Sequence, residues 1–250
     1  MTENSGALEL NVVLPVHNEA ESVADTLAEI YSELSARVRL EFVISEDGSV
    51  DDTREILSRL SQELPMQLIT SPERKGYSRA VRDAFKRCSA PWVLFLDSDG
   101  QCLPSDYWSL KDKRDAGNYD VVMGRRVNRS DSLFRRIMSG SFLAVYQLLF
   151  HVPVRDPSCP FLLMSREVIG SVVDELGVLR EGFWWEFVAR THRKGYRIAE
   201  VPVTHRQRAA GETKVYHLSK LPGIASRHFV GLFVIWWQTR GGRLATRRSS

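Results

Sequence analysis

Two carboxylates follow a short apolar run near the middle of the chain. Residues 92–96 are all apolar, and Asp97, Asp99 and Gln101 come directly after them in the order Asp-Ser-Asp-Gly-Gln. Carboxylates at i and i+2 behind a buried strand can both turn toward one hard cation, and Gln101 adds a neutral oxygen. A plain acidic turn is the alternative, but crowded carboxylates at the end of a core strand are costly unless a cation lies between them. We therefore predict a Mg²⁺ or Mn²⁺ site at Asp97, Asp99 and Gln101.

Two earlier apolar runs also end in polar residues. His17, Asn18 and Glu19 follow the first run and carry groups that could contact a base and a ribose, although Asn18 alone is better explained as the N-cap of the next helix. The second run ends at Glu46 and Asp47, before a Gly-Ser turn. A turn and a helix cap do not require these two acids, so we expect them to have a further role.

These polar junctions lie between segments that alternate as strand and helix. Apolar runs predict strands over 10–16, 40–45, 66–70, 92–96 and 120–123, and helical patterns occupy about 19–34, 51–60, 78–87 and 106–114. This alternation predicts an α/β fold with a mainly parallel central sheet flanked by helices, and ligand sites at the carboxyl ends of the strands. After Gly124 the alternation breaks. A long amphipathic segment occupies 132–150 and a short apolar run lies near 161–164, and we predict a helix over about 184–194 and a strand over 196–203.

Length and composition are those of a globular protein with an unevenly distributed charge. The 250 residues include three scattered cysteines, which indicate neither a disulfide framework nor a zinc site and favour a reducing compartment. Residues 1–125 carry 14 Lys and Arg against 22 Asp and Glu, whereas residues 126–250 carry 20 against 9. The basic half is suited to an anionic partner, such as nucleic acid, phospholipid or a phosphorylated substrate, unless its arginines are simply solvated.

Other nucleotide sites are disfavoured by the absence of their motifs. The chain contains neither the glycine-rich dinucleotide fingerprint nor a P-loop. The acids that could bind a metal lie in the acidic half of the chain, which nucleic acid would repel. No recognised nucleic-acid motif is present either, so we expect no nucleic acid partner.

The ordered motifs of the first half resemble those of family 2 glycosyltransferases, which have a GT-A fold, and most closely the dolichyl- or polyprenyl-phosphate mannosyltransferase-like subgroup. The resemblance covers about residues 9–216. The residues that match the family's donor-binding and metal-binding segments are Pro15, His17, Glu19, Asp47, the Arg74-Lys75-Gly76 loop with Ala80, Asp97, Ser98, Asp99, Gln101, Gly124 and Arg126. Departures include His17 in place of the commoner tyrosine and Ser78 in place of a second glycine.

The second half carries further parts of the same resemblance. Residues 200–203, followed by Arg208 and Lys214, look like the family's signature in which an arginine and a lysine six residues apart hold the donor phosphate. Asp156 and Glu186 lie where the family places two further acids. Changes from the family pattern at Cys159 and Leu162 lie nearer the acceptor side and leave the acceptor less certain than the reaction.

The resemblance implies an inverting, metal-dependent glycosyltransferase that uses a GDP- or UDP-sugar, of the mannose or glucose type. The cation, with Arg208 and Lys214, would neutralise charge on the leaving diphosphate. If the acceptor is a dolichyl or undecaprenyl phosphate, it is already ionised at neutral pH and needs no general base. The residues implied to hold that phosphate are Arg126, Arg135, Arg136 and Ser139. The two arginines of 135–136 could instead form a solvated helix face.

A saccharide hydroxyl as acceptor is the alternative, and it requires a general base because a protonated alcohol is a poor nucleophile. Asp156 and Glu186 are then the candidate catalytic acids, beside Asp97 and Asp99. Structural roles compete with both assignments. Glu186 could pair with Arg190 at i+4 on a helix surface, and Asp156 before a proline could be a turn residue.

The end of the chain suits a membrane surface. The apolar run 229–237 is far shorter than the roughly 20 residues that span a bilayer, and arginines follow it. An amphipathic aromatic segment with flanking arginines is typical of an interfacial helix on anionic lipid, although an ordinary core helix remains the alternative. We predict one catalytic domain over 1–216, with a nucleotide and metal half (1–125) and an acceptor half (126–216), and a membrane-surface segment over 217–250. No signal peptide opens the chain, so we expect a cytoplasmic protein, peripheral at the cytosolic face of a membrane.

Overall fold

A seven-stranded sheet organises the structure, with helices packed on both of its faces. This computed structural model describes residues 6–127, 133–179, 181–206 and 221–241, except for the side chains of 133–139 and 221–225. The strands are β1 (Leu10–Val16), β2 (Leu40–Asp47), β3 (Met66–Ser71), β4 (Trp92–Leu96), β5 (Val121–Arg126), β6 (Phe161–Ser165) and β7 (Ile198–Val203). The helices are α1 (Val23–Leu34), α2 (Thr53–Leu60), α3 (Tyr77–Phe85), α4 (Asp106–Gly117), α5 (Leu133–Phe150), α6 (Arg166–Val172), α7 (Phe183–Arg193) and α8 (Leu221–Thr239).

The strand order is β3-β2-β1-β4-β6-β5-β7. β1 pairs in parallel with both β2 and β4, and β7 pairs in parallel with β5, whereas β6 runs antiparallel to β4 and β5. The prediction of a mainly parallel sheet flanked by helices is therefore confirmed. Because β1, β2 and β4 are parallel neighbours, their carboxyl ends and the polar residues that follow them meet at one edge of the sheet.

Alternation along the central strands divides the core into two layers. Val13 and Val43 belong to one buried cluster, with residues of α3, α5, α6, α7 and α8, whereas Val12 and Phe42 belong to the other, with residues of α1, α2 and α4. β1 is therefore apolar on both sides, which is typical of a parallel strand covered by helices on both faces. This packing fixes the edge at which the strands end.

The structure corrects the sequence interpretation at two helix starts. Asn18 is not an N-cap, because α1 begins at Val23 and Asn18 itself has a left-handed backbone with φ of 54°. α6 was not anticipated because it follows β6 without a break; the Ser165 hydroxyl caps it by accepting a hydrogen bond from the Val168 N–H at 3.4 Å. Both local outcomes depend on side-chain hydrogen bonds that apolar periodicity does not report.

Among the helices of the described residues, none combines the length and the apolar character needed to cross a membrane. α8 contains the apolar run 229–237 that the sequence singled out.

Candidate active site

A pocket of about 200 Å³ opens at the edge of the sheet where β1, β2 and β4 end. Its lining residues are Pro15, Val16, His17, Glu19, Asp47, Arg74, Tyr77, Ala80, Asp97, Ser98 and Asp99. Seven of them were predicted from the sequence as donor-binding residues, from three separate segments of the chain. Parallel strands bring these segments together because each ends at the same edge of the sheet.

The loops after β1 and β2 are fastened to each other. The Asn18 side-chain oxygen accepts a hydrogen bond from the Val50 N–H at 2.9 Å, and the Asn18 N–H donates to the Ser49 hydroxyl at 3.0 Å. The Glu19 N–H donates to the Thr53 hydroxyl at 2.9 Å. These contacts hold the pocket residues of both loops in fixed relative positions.

Asp47 positions the loop that leads into α3. Its two carboxylate oxygens accept hydrogen bonds from the backbone N–H groups of Lys75, at 2.6 Å, and Gly76, at 2.8 Å. The same loop crosses Gly48, where a Cβ would lie 2.5 Å from the Arg74 nitrogen, so a side chain is excluded there. Asp47 therefore lines the pocket and also holds Arg74 and Tyr77 in it.

The second acid of this junction is structural. Glu46 is completely buried, and it accepts hydrogen bonds from the Ser49 N–H and from the Arg54 guanidinium, at 3.1 Å. We expected a further role for both acids. Asp47 lines the pocket, whereas Glu46 stabilises the turn behind it.

The acidic loop after β4 is tied to two other segments. The Ser98 hydroxyl donates to the Pro15 carbonyl at 3.0 Å, which holds this loop against the end of β1. Gln101 does not line the pocket with Asp97 and Asp99; its side-chain amide donates to the Arg206 carbonyl at 3.1 Å, beyond β7. The structure therefore gives Gln101 a bridging position, and its prediction as a metal ligand receives no support from this geometry.

Asp97 and Asp99 are suited to a hard cation by the chemistry of their oxygens. Among the described residues, no group of three or more His, Cys, Asp or Glu side chains is arranged to hold a metal by itself. The two carboxylates nevertheless line one pocket, and burial together with their charges helps to raise the pKa of the nearby Cys102 thiol well above its usual value. They fit a cation that completes its shell with substrate phosphates.

Tyr77 is a pocket residue that the sequence interpretation missed. Its hydroxyl donates to the Asp97 carboxylate at 3.0 Å and accepts from the Trp184 indole N–H at 2.9 Å. Burial of the hydroxyl, together with the charge of Asp97, raises the pKa of Tyr77 well above its ordinary value, so the hydroxyl remains a donor. The available signal was its place in the loop between Gly76 and Ala80, but nothing local to that loop indicates Trp184, which is 107 residues away.

Asp156 and Arg126 form a bidentate ion pair at the end of β5. The Arg126 guanidinium donates to the two carboxylate oxygens of Asp156, each at 2.8 Å, and to the Ser158 hydroxyl at 2.7 Å. Burial opposes ionisation of Asp156, but the hydrogen bonds and the charge of Arg126 outweigh it and hold the pKa of Asp156 below its ordinary value. Neither Arg126 nor Asp156 lines the pocket, but the charge of Arg126 acts on the Cys102 thiol, as the charges of Asp97 and Asp99 do.

Glu186 lies in the interior, not in the pocket. It is completely buried, and it accepts hydrogen bonds from the backbone N–H groups of Gly177 and Leu179, at 3.1 and 2.9 Å. Arg190 donates to its other oxygen at 2.9 Å and to Gln238 of α8 at 2.7 Å. The i+4 pair considered from the sequence exists, but it is buried instead of solvated, and this geometry argues against Glu186 as a general base.

Several predicted site residues lie outside the described part of the chain. Arg208 and Lys214 fall in the range 207–220, which the structure does not describe. Arg135, Arg136 and Ser139 are on the first turns of α5, where the backbone alone is described. Their assignments to the donor and acceptor phosphates remain predictions.

Comparison with known sequences identifies the family of the chain. The family model described as "Glycosyl transferase family 2" matches residues 11–172, about two thirds of the chain. This range includes every predicted site residue between Pro15 and Gln101. The chain belongs to glycosyl transferase family 2. Its similarity to the solved structures of such enzymes and to curated relatives extends well beyond that range.

Two curated relatives match this chain over part of their own length. Glycosyltransferase AglD of Haloferax volcanii is 27% identical over 257 residues, which cover 98% of this chain and 39% of the relative. The undecaprenyl-phosphate 4-deoxy-4-formamido-L-arabinose transferase of Salmonella choleraesuis is 28% identical over 208 residues, which cover 82% of this chain and 62% of the relative. The chain thus spans about two fifths and three fifths of the lengths of these relatives.

Solved structures confirm the GT-A fold expected for family 2. Glucosyl-3-phosphoglycerate synthase from Mycobacterium tuberculosis, in complex with Mn²⁺, UDP-glucose and phosphoglyceric acid, has a TM-score of 0.67 at 17% identity, covering 92% of this chain and 80% of that one. TarS 1-349 of S. aureus, in complex with UDP, has a TM-score of 0.58 at 15% identity, covering 78% and 61%. At these identities the likeness shows the fold.

Proposed function

We propose that this family 2 protein transfers a sugar, of the mannose or glucose type, from a nucleotide-diphosphate sugar to a polyprenyl phosphate such as dolichyl or undecaprenyl phosphate. The observation that carries the proposal is the pocket itself, which joins His17, Glu19 and Asp47 to the carboxylates of Asp97 and Asp99. A nucleotide-diphosphate sugar requires both kinds of group, because its base and ribose need polar contacts and its diphosphate needs a cation.

A Mg²⁺ or Mn²⁺ ion would be held by Asp97 and Asp99. Such an ion supplies Lewis-acid stabilisation of the charge that develops on the leaving diphosphate. The protein residues orient the donor, since the linked loops after β1, β2 and β4 fix the pocket wall before the substrate enters. The arginine of the Asp156–Arg126 pair adjoins this loop and provides a positive charge beside it.

The acceptor assignment is supported by the surroundings of the two candidate bases. Glu186 is enclosed by backbone N–H groups and Arg190, and Arg126 holds Asp156 ionised with a lowered pKa. Glu186 is completely buried and does not line the pocket. A general base works best with a pKa near the operating pH, so the lowered pKa of Asp156 makes that carboxylate poorly suited to deprotonating a sugar hydroxyl. A phosphate acceptor is already ionised and requires positive charge instead. The Salmonella relative is named for an undecaprenyl-phosphate transferase reaction.

We also propose that the exposed face of α8 rests on the membrane that holds the acceptor. Val230, Phe233 and Trp237 on this face are 64%, 58% and 63% exposed, whereas Leu232 and Ile235 on the opposite face are completely buried. An apolar, aromatic helix face beside arginines is typical of interfacial binding. Peripheral association would bring the pocket near a lipid phosphate without a membrane-spanning segment in the described residues.

The transfer reaction is tested by incubation with undecaprenyl or dolichyl phosphate, or with a soluble saccharide, in Mg²⁺ or Mn²⁺ and a panel of labelled GDP- and UDP-sugars. We expect label on the lipid phosphate. Label on the saccharide alone would replace this proposal with the alternative of a saccharide hydroxyl acceptor. Asp97→Ala and Asp99→Ala are expected to abolish turnover with unchanged circular dichroism, and Arg136→Ala to raise the KM for the lipid.

Membrane association is tested by flotation with vesicles. The wild-type chain should float with vesicles that contain anionic lipid, and Phe233→Ser with Trp237→Ser should remain at the bottom of the gradient. A matched control is Leu148→Ser, which changes an exposed apolar residue on α5 instead. Equal flotation of the wild type and the α8 variant would contradict this part of the proposal.

A further inference from the structure

Asp97 is connected to α7 through a chain of two hydrogen bonds. Tyr77, the first residue of α3, lies between the Asp97 carboxylate, at 3.0 Å, and the Trp184 indole nitrogen, at 2.9 Å. The three residues come from the loop after β4, from α3 and from α7. Their alignment therefore depends on how these elements pack around the pocket.

The chemistry of the three groups gives the chain one direction. An indole N–H can only donate, and an ionised carboxylate can only accept. The Tyr77 oxygen therefore accepts from Trp184, and its own proton points at Asp97. Both hydrogen bonds share the Tyr77 oxygen, so a displacement of the Tyr77 side chain breaks them together.

Aromatic packing holds Trp184 in place. It is buried, and its ring centroid lies 4.4 Å from that of Phe95, which is two residues before Asp97 on β4. Tyr77 meets Phe95 and Phe183 edge-on at 6.5 and 6.2 Å. Edge-to-face pairs at such distances are favourable beyond the area they bury, so the rings resist displacement.

The first turn of α7, which carries Trp184, is itself anchored. The buried Glu186 accepts hydrogen bonds from the backbone N–H groups of Gly177 and Leu179 and from the Arg190 guanidinium. These hydrogen bonds fix the position of α7 along its axis, and its rotation about that axis, at Trp184. The buried acid thus contributes to the site from a distance, through the helix that carries the indole.

We propose that Tyr77 and Trp184 are positioning residues that orient the Asp97 carboxylate for a divalent cation bound with the donor diphosphate. This inference rests on the proposed function and deepens it. Groups that orient a metal ligand typically change metal affinity by about 10–100-fold when they are removed. The Trp184 contribution passes through the Tyr77 hydroxyl.

The first test is the Mn²⁺ affinity of Tyr77→Phe, measured by calorimetry or electron paramagnetic resonance with Mn²⁺ alone and with Mn²⁺ plus UDP or GDP. We expect affinity to fall about 10-fold or more, and excess Mn²⁺ to restore much of the transferase rate. The matched control is Tyr146→Phe, which removes another tyrosine hydroxyl, one that donates to the Trp185 carbonyl at 2.8 Å away from the acidic loop. The control should keep wild-type Mn²⁺ affinity even where its stability falls.

The second test separates the role of Trp184 from its packing. Trp184→Phe keeps an aromatic ring and removes the N–H donor, so Mn²⁺ affinity should fall by a smaller factor than in Tyr77→Phe. In the Tyr77→Phe background the same substitution should have little further effect, because the link to Asp97 is already lost. Trp185→Phe, a change of the next residue on α7, is the control for a lost indole.

Three outcomes would overturn the inference. They are wild-type Mn²⁺ affinity in Tyr77→Phe, an undiminished effect of Trp184→Phe in the Tyr77→Phe background, and no Mn²⁺ binding by the wild type in any of these conditions. Mn²⁺ binding that depends on Tyr77, in a protein without transferase activity toward any acceptor tested, would overturn the proposed function and leave the positioning role supported.

Discussion

The Asp156–Arg126 and Glu186–Arg190 pairs join the same two functional groups and differ in their surroundings. In the first pair the acidic and basic side chains are 11% and 13% exposed, and the pair lies beside the acidic loop of the pocket. In the second they are 0% and 3% exposed, and the remaining hydrogen bonds go to backbone N–H groups and to α8. The partner of an acid therefore does not define its role; the surroundings of the pair do.

The arginines of the two pairs, Arg190 and Arg126, also differ in their surroundings. Arg190 is enclosed between α7 and α8, where it compensates Glu186 and reaches Gln238. Arg126 is the last residue of β5, and its side chain retains contact with solvent. Four predictions, from the largest expected effect to the smallest, test this distinction.

Glu186→Gln should cause the largest loss of stability. It leaves the Arg190 charge buried without its carboxylate, and breaking a buried pair in this way costs about 3–5 kcal/mol. Denaturant unfolding monitored by circular dichroism measures the change. Glu175→Gln is the matched control, since Glu175 also contacts Arg190, at 3.4 Å, but its side chain is 43% exposed; its loss should cost at most about 1 kcal/mol.

The same variant addresses catalysis. The fraction of Glu186→Gln that remains folded should lose transferase activity only in part, through a shift of Trp184, and excess Mn²⁺ should restore much of the rate. A variant with wild-type stability and no activity would return Glu186 to the role of catalytic base and erase the difference between the two pairs.

Asp156→Asn should affect activity more than stability. Arg126 would lose both charged contacts, at a cost of about 1.5–3 kcal/mol for hydrogen bonds between charged groups. A misplaced Arg126 should lower kcat/KM for the lipid phosphate by about 100-fold, because small displacements of positioning groups have effects of this size. Steady-state kinetics measures it, with Arg125→Ala as the control on the opposite side of β5. An unchanged kcat/KM would show that Arg126 does not contribute to acceptor binding.

The stabilisation from the Asp156–Arg126 pair should disappear in acid. Because the pKa of Asp156 is lower in the folded protein than its ordinary value of 3.8, the stabilisation is fully present above pH 3.8 and is lost as the pH falls through the folded pKa. The difference in unfolding free energy between the wild type and Asp156→Asn should therefore be constant from pH 5 to 7 and shrink below about pH 4. Urea unfolding over this range measures it, and a difference that declines between pH 7 and 5 would contradict the assignment.

Ser158→Ala should have the smallest effect. The Ser158 hydroxyl accepts from Arg126 at 2.7 Å and donates to Asp156 at 2.9 Å, so its removal weakens the pair without breaking it. We expect a loss of about 1 kcal/mol and a modest rise in the KM for the lipid phosphate. A loss as large as that of Asp156→Asn would mean that the hydroxyl, and not the carboxylate, positions Arg126.

Much of the fold was predictable from local patterns. β1 and β4 have the bounds expected from their apolar runs, and β2 and β3 begin where expected. Strand and helix periodicities report which sides of a segment are apolar, and the alternation of the two implies a parallel sheet. The helix ends were less accurate, as at α1, because caps and turns depend on single hydrogen bonds such as that between Asn18 and Val50.

The sequence by itself determined that polar residues follow β1, β2 and β4, and therefore that Glu19, Asp47 and Asp97 meet at one sheet edge. Tertiary structure alone decided that Glu186 is buried, that Gln101 turns to the segment after β7, and that β6 is antiparallel. It also decided that Trp184 reaches Tyr77 across 107 residues. The physical reason is that periodicity reports the side of an element on which a residue lies, whereas burial and partners depend on which distant element packs over that side.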